Sequence, residues 1–178
     1  EKKNYFEEAS EAERTAMFDY AEGYKAFLDE AKTEREACDA AVRMAKEKGF
    51  TEYKFGDKLA AGDKKYFVNR GKSVVVFRVG TEDLEKDGLR IIASHIDAPR
   101  VDIKQNPLYE QSGMCFLKTH YYGGIKKYQW TAIPLALHGV VVLKNGQKVE
   151  IKVGESEDDP VFYINDLLPH LGAEQMSH

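Results

Sequence analysis

The chain has few of the features that build disulfide-rich, membrane-bound or nucleic-acid-binding proteins. Its two cysteines, Cys38 and Cys115, stand far apart without a C-x-x-C spacing, so neither a disulfide framework nor a cysteine-built zinc site is expected. No apolar run is long enough to span a bilayer, and the first residues do not resemble a basic, cleavable leader. The 26 basic residues form no single block and face 30 acidic residues, for a net charge of −4, which disfavours nucleic acid or a membrane as a partner. We therefore expect a protein of the reducing cytoplasm that acts on a small or peptide substrate.

The composition suits a globular core. Hydrophobic residues make up 43% and charged residues 31% of the 178 residues, within the range of ordinary globular domains. This length accommodates one domain, or one domain and part of another.

Two amphipathic helices are predicted before any strand. The first begins with a capping box formed by Ser10 and Glu13, and apolar residues follow at helical spacing as far as position 31. A second box, Thr33 and Glu36, begins a shorter helix. Gly49 is expected to end it in the left-handed conformation that is common after a helix.

The next segments predict a β-sheet. Residues 65–70 and 73–79 are rich in β-branched and aromatic residues and flank a predicted turn at Gly71-Lys72, which is typical of a hairpin. Leu89–Ser94 is predicted to be the following strand. Because its apolar residues do not alternate with polar ones, we expect both of its faces to be covered, as in an α/β sheet.

The pattern of apolar and polar residues changes after Pro107. Helical periodicity disappears, and short β segments follow, with Asn145-Gly146 as a strong hairpin signal. We predict a boundary near residues 104–107, with residues 1–104 forming the N-terminal part of an α/β domain and residues 105–178 a mostly β domain. The last residues, GAEQMSH, carry no cap or strand pattern, and the α/β part has too few strands to close a sheet. We therefore expect the chain to continue in a longer protein.

His95 and Asp97 form the most informative pair, in the segment LRIIASHIDAPR. Residues two apart in a strand face the same side, and open α/β sheets place their sites at strand ends. Imidazole is a common zinc ligand, and a ligating histidine usually donates its other ring N–H to a carboxylate that orients it. On this interpretation His95 binds a metal and Asp97 orients it. The alternative is a histidine whose ring is simply satisfied by a neighbouring carboxylate, and the tripeptide alone leaves both open.

The wider pattern resembles a known family. The segments ASHIDAPR, NPLYE, THYYGGIKKYQW, PLALHGVV and INDLLPHLGAEQ occur in this order, and together they resemble the aminopeptidase I / aspartyl aminopeptidase family of metallopeptidases, in a bacterial-type version. The resemblance spans roughly residues 12–178. It implies an α/β exopeptidase domain interrupted by an inserted β domain that serves assembly into a large homo-oligomer, usually a dodecamer. It also implies a centre of two divalent metal ions, zinc in the first instance, with cobalt or manganese as alternatives.

The resemblance assigns roles to three residues. By position, His95 resembles the family's histidine metal ligand and Asp97 the aspartate that orients it. His170, in LLPHL, resembles the histidine that the inserted domain lends to the active site of a neighbouring subunit. The family's bridging aspartate, catalytic glutamate, other carboxylate ligands and last histidine ligand match no residue of this chain, so it is expected to be an N-terminal portion that cannot bind two metals alone.

Other candidate sites have plain structural interpretations. His120 and His138 are expected to be ordinary strand residues. The glycines of YYGGIKKYQW lack a phosphate-loop frame, and its aromatic residues suit an interface or ordinary core packing equally. The acidic segment GESEDDP lacks the spacing of a calcium loop and is expected to be a solvated turn.

Two functions follow. The first is a metal-dependent aminopeptidase that removes the N-terminal residue of peptides through a metal-activated water. The second is a scaffold or assembly module without activity of its own.

Overall fold

A computed structural model describes residues 4–172 and divides after Asp97 into two units. The first contains helices and a small sheet, and the second is mostly β, which confirms the predicted fold class of an α/β part followed by a β part. No helix among the described residues combines the length and apolar character that crossing a membrane requires.

The helices of the first unit begin where their capping residues predict. A short helix α1, Tyr5–Glu8, precedes α2, Glu11–Glu30, and α3, Glu34–Glu47. Ser10 and Glu13 form the complete capping box of α2, and the Thr33 hydroxyl accepts from the Glu36 amide at the start of α3. Gly49 follows α3 with φ +81°, so both predicted helices and the predicted stop are confirmed.

The sheet of the first unit has three strands in the order β1-β2-β3. These are β1, Thr51–Glu52, β2, Lys64–Asn69, and β3, Ser73–Arg78. Strand β1 pairs parallel with β2, and β2 pairs antiparallel with β3. The predicted hairpin is confirmed, but its turn lies one residue earlier than expected. Arg70 and Gly71 take φ values of +56° and +67°, and the Lys72 amide donates to the Asn69 carbonyl.

Helix α3 supplies most of the core of the first unit. Small side chains of α3 and one tyrosine of β2 are buried: Ala37, Cys38, Ala40, Ala45 and Tyr66. Small residues allow a helix to approach a sheet closely, so α3 rather than the longer α2 is the helix that anchors this unit. No residue of α2 is buried.

The prediction of a covered strand at Leu89–Ser94 is wrong for this structure. After the short helix α4, Leu84–Asp87, residues 88–99 form no strand. Ile91 is 77% exposed and Ile92 is fully exposed. A strand needs a partner to satisfy its N–H and C=O groups, and β1, β2 and β3 pair only among themselves. Neither the strand nor the cover on its two faces is present within residues 4–172.

The second unit consists of two hairpins and irregular segments. The first hairpin pairs β4, Arg100–Gln111, with β5, Met114–Tyr122, and its register shifts between Ile103 and Leu108. The second pairs β6, Leu137–Val142, with β7, Lys148–Val153. A 3-10 turn at Lys127–Trp130 lies between the hairpins.

Two details of the second unit bear on the sequence predictions. The β6–β7 turn contains Asn145-Gly146 as predicted, with Gly146 at φ +84° and its amide donating to Leu143. The segment PVFYIND forms only isolated bridges, Leu135 with Phe162 and Thr131 with Ile164, rather than a full strand.

The predicted boundary at 104–107 falls inside β4, at its register shift, a few residues after the division at Asp97. The assignment of residues 1–104 and 105–178 to separate domains stays a prediction. The last six residues of the chain, which include most of GAEQMSH, lie outside the described range.

Candidate functional site

His95 and Asp97 contact each other directly at the end of the first unit. The His95 Nδ1 atom lies 3.2 Å from the Asp97 Oδ1 atom and 2.9 Å from the Asp97 backbone oxygen. The contact forms within an irregular segment, so strand geometry is not its cause. The two-residue spacing alone brings the ring and the carboxylate together.

This geometry leaves one ring nitrogen available. Both oxygens contact Nδ1, which favours a proton on Nδ1, because a carboxylate and a carbonyl can only accept. In the neutral ring the lone pair is then on Nε2, and the His95 side chain is 82% exposed. An imidazole held by a carboxylate through one nitrogen, with the other nitrogen unprotonated, is the usual state of a zinc-binding histidine.

The described residues fit one ligand of a metal centre but not a whole centre. Within residues 4–172, no three histidine, cysteine, aspartate or glutamate side chains come together in a way that could hold a metal ion. Catalytic zinc needs three protein ligands and an open position. His95 and Asp97 therefore suit a ligand and its orienting carboxylate.

His170 lies in an exposed turn of the second unit. The turn is closed by backbone hydrogen bonds from Leu171 and Gly172 to the Leu168 carbonyl, at 2.8 and 3.0 Å. Pro169 precedes the histidine, and the segment is not helical, as expected for a rigid loop. The His170 ring makes no hydrogen bond within the described part of the chain, so it does not cap this turn. The residue belongs to the other unit from His95.

The remaining candidates have the structural roles that the sequence suggests. His120 lies in β5 and His138 in β6, where its Nε2 atom contacts the Glu155 carboxylate at 2.7 Å. The acidic segment forms a turn around Asp159, whose carboxylate accepts from the amides of Gly154, Glu155 and Ser156. These hydrogen bonds favour the charged form and lower the pKa of Asp159.

Sequence reasoning missed Arg100. Its guanidinium contacts the Asp102 carboxylate, the Ala98 carbonyl and the face of the Tyr122 ring. The Arg100–Asp102 spacing was visible in the sequence. The aromatic partner was not, because it arrives through the pairing of β4 with β5.

Known proteins resemble this chain over nearly its whole length. The M18 family aminopeptidase 1 of Borrelia garinii subsp. bavariensis, described as probable, is 47% identical over 170 residues, covering 96% of this chain and 37% of the relative. The crystal structure of aminopeptidase I from Borrelia burgdorferi B31 matches with a TM-score of 0.87 at 44% identity, covering 94% of this chain and 41% of that one. The M18 aminopeptidase structure from Thermotoga maritima matches with a TM-score of 0.85 at 43% identity, covering 96% and 37%.

These matches define a class, the zinc metalloproteases, to which the His95–Asp97 pair is suited. The family model described as aminopeptidase I zinc metalloprotease (M18) matches residues 27–178. The chain belongs to this family. It spans little more than a third of the length of the curated relatives. A structure described as the S. cerevisiae mApe1 dodecamer shares the fold at 21% identity, with a TM-score of 0.69.

Proposed function

We propose that the chain is the N-terminal portion of a metal-dependent aminopeptidase that removes the N-terminal residue of peptides. The observation that carries the proposal is the His95–Asp97 contact, which leaves the Nε2 atom of an exposed imidazole available to a metal. Family membership supports the same conclusion. A metal held there would supply Lewis-acid activation of water and polarisation of the peptide carbonyl.

The proposed centre holds two divalent ions, zinc in the first instance and cobalt or manganese as alternatives. His95 binds one ion through Nε2, and Asp97 fixes the tautomer and orientation of the ring. The other ligands and the general base come from the rest of a longer chain, since the matched relatives are more than twice as long. We place the enzyme in the cytoplasm because of its cysteine usage.

Replacement of His95 tests the metal assignment. In the longer enzyme, His95→Ala is expected to abolish tight binding at one metal position, and peptidase activity with it, because a small ligand set tolerates no loss. Metal content by elemental analysis and aminoacyl-anilide hydrolysis measure the two effects. His120→Ala removes an exposed strand histidine and should leave both unchanged. Full metal content and activity in His95→Ala would refute the role.

We further propose that residues 105–178 belong to an inserted domain through which the enzyme assembles as a homo-oligomer, a dodecamer in the first instance, and that His170 acts in the active site of a neighbouring subunit. Support comes from the exposed, backbone-closed turn that presents the His170 ring without a partner in residues 4–172. An imidazole N–H in such a position can stabilise the oxyanion formed as water attacks, and loss of one such donor typically costs about 10²–10³ in turnover.

Complementation tests the role of His170. Subunits carrying His170→Ala are mixed with subunits carrying His95→Ala, then dissociated and reassembled. If His170 serves its neighbour, some interfaces combine an intact metal site with an intact lent histidine, and activity partly returns. The control is each variant reassembled alone, which should stay inactive. Mixed oligomers that recover nothing would exclude action between subunits.

A further inference from the structure

The segment that leaves Asp97 is held at the base of the β4–β5 hairpin. Arg100 donates from Nε to the Asp102 carboxylate at 2.7 Å and from Nη1 to the Ala98 carbonyl at 3.4 Å. Its guanidinium carbon lies 4.1 Å from the centre of the Tyr122 ring. Arg100 and Tyr122 are also paired across the two strands. One side chain therefore joins the start of β4, the end of β5 and the backbone just after Asp97.

Gly123 lies close to Pro99 in the same segment. It follows Tyr122 with φ +74°, and a Cβ atom placed there would already touch Pro99, 3.5 Å from its Cα atom. The glycine thus brings the chain after β5 against the proline without strain. Pro99-Arg100 and Tyr122-Gly123 therefore lie together within the second unit.

The contacts of Arg100 suit a residue that holds the Ala98 backbone rigidly against the β4–β5 hairpin. The Arg100 and Asp102 side chains are only 28% and 31% exposed, so water screens the pair less than it screens a surface pair. A planar guanidinium can donate within its plane while its face stacks on a ring, and the compact lysine ammonium has no such plane. Because Asp102 already neutralises the guanidinium, the geometry favours a role in holding the backbone over one in binding an anionic ligand.

The held backbone is continuous with the histidine contact. The Asp97 carbonyl, which lies 2.9 Å from His95 Nδ1, belongs to the peptide bond that joins Asp97 to Ala98. The next carbonyl, that of Ala98, accepts from Arg100. Pro99 and Arg100 restrict the conformation of Ala98. This restriction limits the orientations of the Asp97–Ala98 peptide, whose oxygen contacts the imidazole.

We propose that Arg100 is a positioning residue for the metal ligand His95. Resting on the proposed function, this means that Arg100, with Asp102 and Tyr122, fixes the chain that leaves Asp97 so that both oxygens of Asp97 hold the imidazole in one orientation. Groups that orient a ligand in this way typically change metal affinity or activity 10–100-fold.

The test measures zinc affinity by competition with a chelator in the longer enzyme, independently of activity. Arg100→Gln is expected to weaken zinc binding at the His95 position about tenfold. Arg100→Lys should restore it only in part, because lysine keeps the charge but not the planar donors. Tyr122→Phe keeps the ring and should bind zinc with wild-type affinity. Tyr122→Leu should have a zinc affinity between those of the wild type and Arg100→Gln. Arg78→Gln is the matched control, since the exposed Arg78 side chain makes no hydrogen bond or ion pair within the described residues.

A double variant separates positioning from general support of the hairpin. If Arg100 acts through Asp97, Arg100→Gln should weaken zinc binding much less in an Asp97→Asn background, because the orientation is already impaired. An undiminished tenfold loss in that background would overturn the proposal, as would an Arg100→Gln enzyme with normal zinc affinity. If Arg100→Gln fails to fold, the comparison of Tyr122→Phe with Tyr122→Leu decides, and equal zinc affinities overturn it. Retained zinc in His95→Ala would instead refute the proposed function itself.

Discussion

At the scale of single residues, His95 contacts a residue two positions away, whereas Arg100 contacts the Tyr122 ring 22 positions away. The contact of His95 with Asp97 was expected from a strand, and it forms in a segment that is not a strand. A separation of two residues keeps the ring and the carboxylate within reach in several extended conformations. Arg100 was missed because its ring partner, Tyr122, is brought close only by strand pairing. Sequence patterns reveal partners a few residues apart far better than partners 22 positions away.

Asp97→Asn should weaken zinc binding at the His95 position about 10–100-fold without abolishing it, since the imidazole remains but loses its anionic partner. Chelator competition in the longer enzyme measures the change. Asp57→Asn alters a carboxylate of the first unit whose one hydrogen bond within residues 4–172 is from the Lys54 amide, and it should leave the zinc affinity unchanged. An Asp97→Asn enzyme with wild-type affinity would mean that Asp97 does not orient the ligand.

The hydrogen bonds to the Asp159 carboxylate should hold its turn together until low pH protonates that carboxylate. Because its folded-state pKa is lowered by three backbone N–H groups, its stabilising contribution is full above the ordinary aspartate pKa of about 3.9 and is lost only as the pH falls through the lower folded value. Hydrogen exchange of the Gly154 and Ser156 amides, corrected for intrinsic rates, should show protection maintained to about pH 4 and lost below it. In Asp159→Asn we expect weaker protection without this pH dependence. Identical profiles for the two proteins would contradict this account.

At the scale of secondary-structure elements, local chemistry decided what could be predicted. Helices α2 and α3 begin at their capping residues, and both predicted hairpins form, because caps and turn residues act within a few positions. The strand predicted at Leu89–Ser94 depended on a distant partner that its own sequence does not specify. The shift of the β2–β3 turn by one residue has a similar cause, since strand register determines which residues become the turn.

Gly146→Ala should loosen the β6–β7 hairpin. Gly146 has φ +84° with open space around it, so an alanine there meets no clash but adopts a left-handed conformation that costs about 1 kcal/mol. Amide exchange across Val140–Val142 should become about fivefold faster if this cost is local. Gly139→Ala is the matched control, because this β6 glycine also has open space but an ordinary φ. Its exchange should be unchanged or slightly slower, and equal effects of the two substitutions would refute the conformational argument.

At the scale of the whole molecule, the described residues have little buried core for their length. Six apolar residues are buried, three of them alanines of α3. Exposed large apolar side chains occur in both units, among them Ile92, Tyr128 and Leu171. Composition alone gave no sign of this, because a 43% hydrophobic content is normal for a self-contained domain.

Taken alone, the 178-residue chain should self-associate and should not bind two zinc ions per chain. The unpaired apolar segment at Leu89–Ser94 offers backbone groups and apolar side chains for edge-to-edge pairing. Light scattering should show association that Ile91→Ser/Ile92→Ser reduces. Leu84→Ser removes a leucine that is exposed in α4 and should matter less. Robust peptidase activity of this chain alone would show that the active site is not shared with the rest of a longer enzyme, and inactivity with intact assembly would agree with a scaffold role for this part.

The two thiols should react at very different rates because of where they lie. Cys38 is completely buried in α3, and burial raises the pKa of its thiol, whereas Cys115 is exposed on β5. A thiol reagent should therefore modify Cys115 at once and Cys38 only when the packing of α3 opens. The rate of the Cys115 reaction serves as an internal reference in each sample. The rate of the Cys38 reaction then measures how often the packing of α3 opens in the first unit. Labelling of the two native thiols would thus follow the consequences of binding or assembly for that unit without an introduced cysteine.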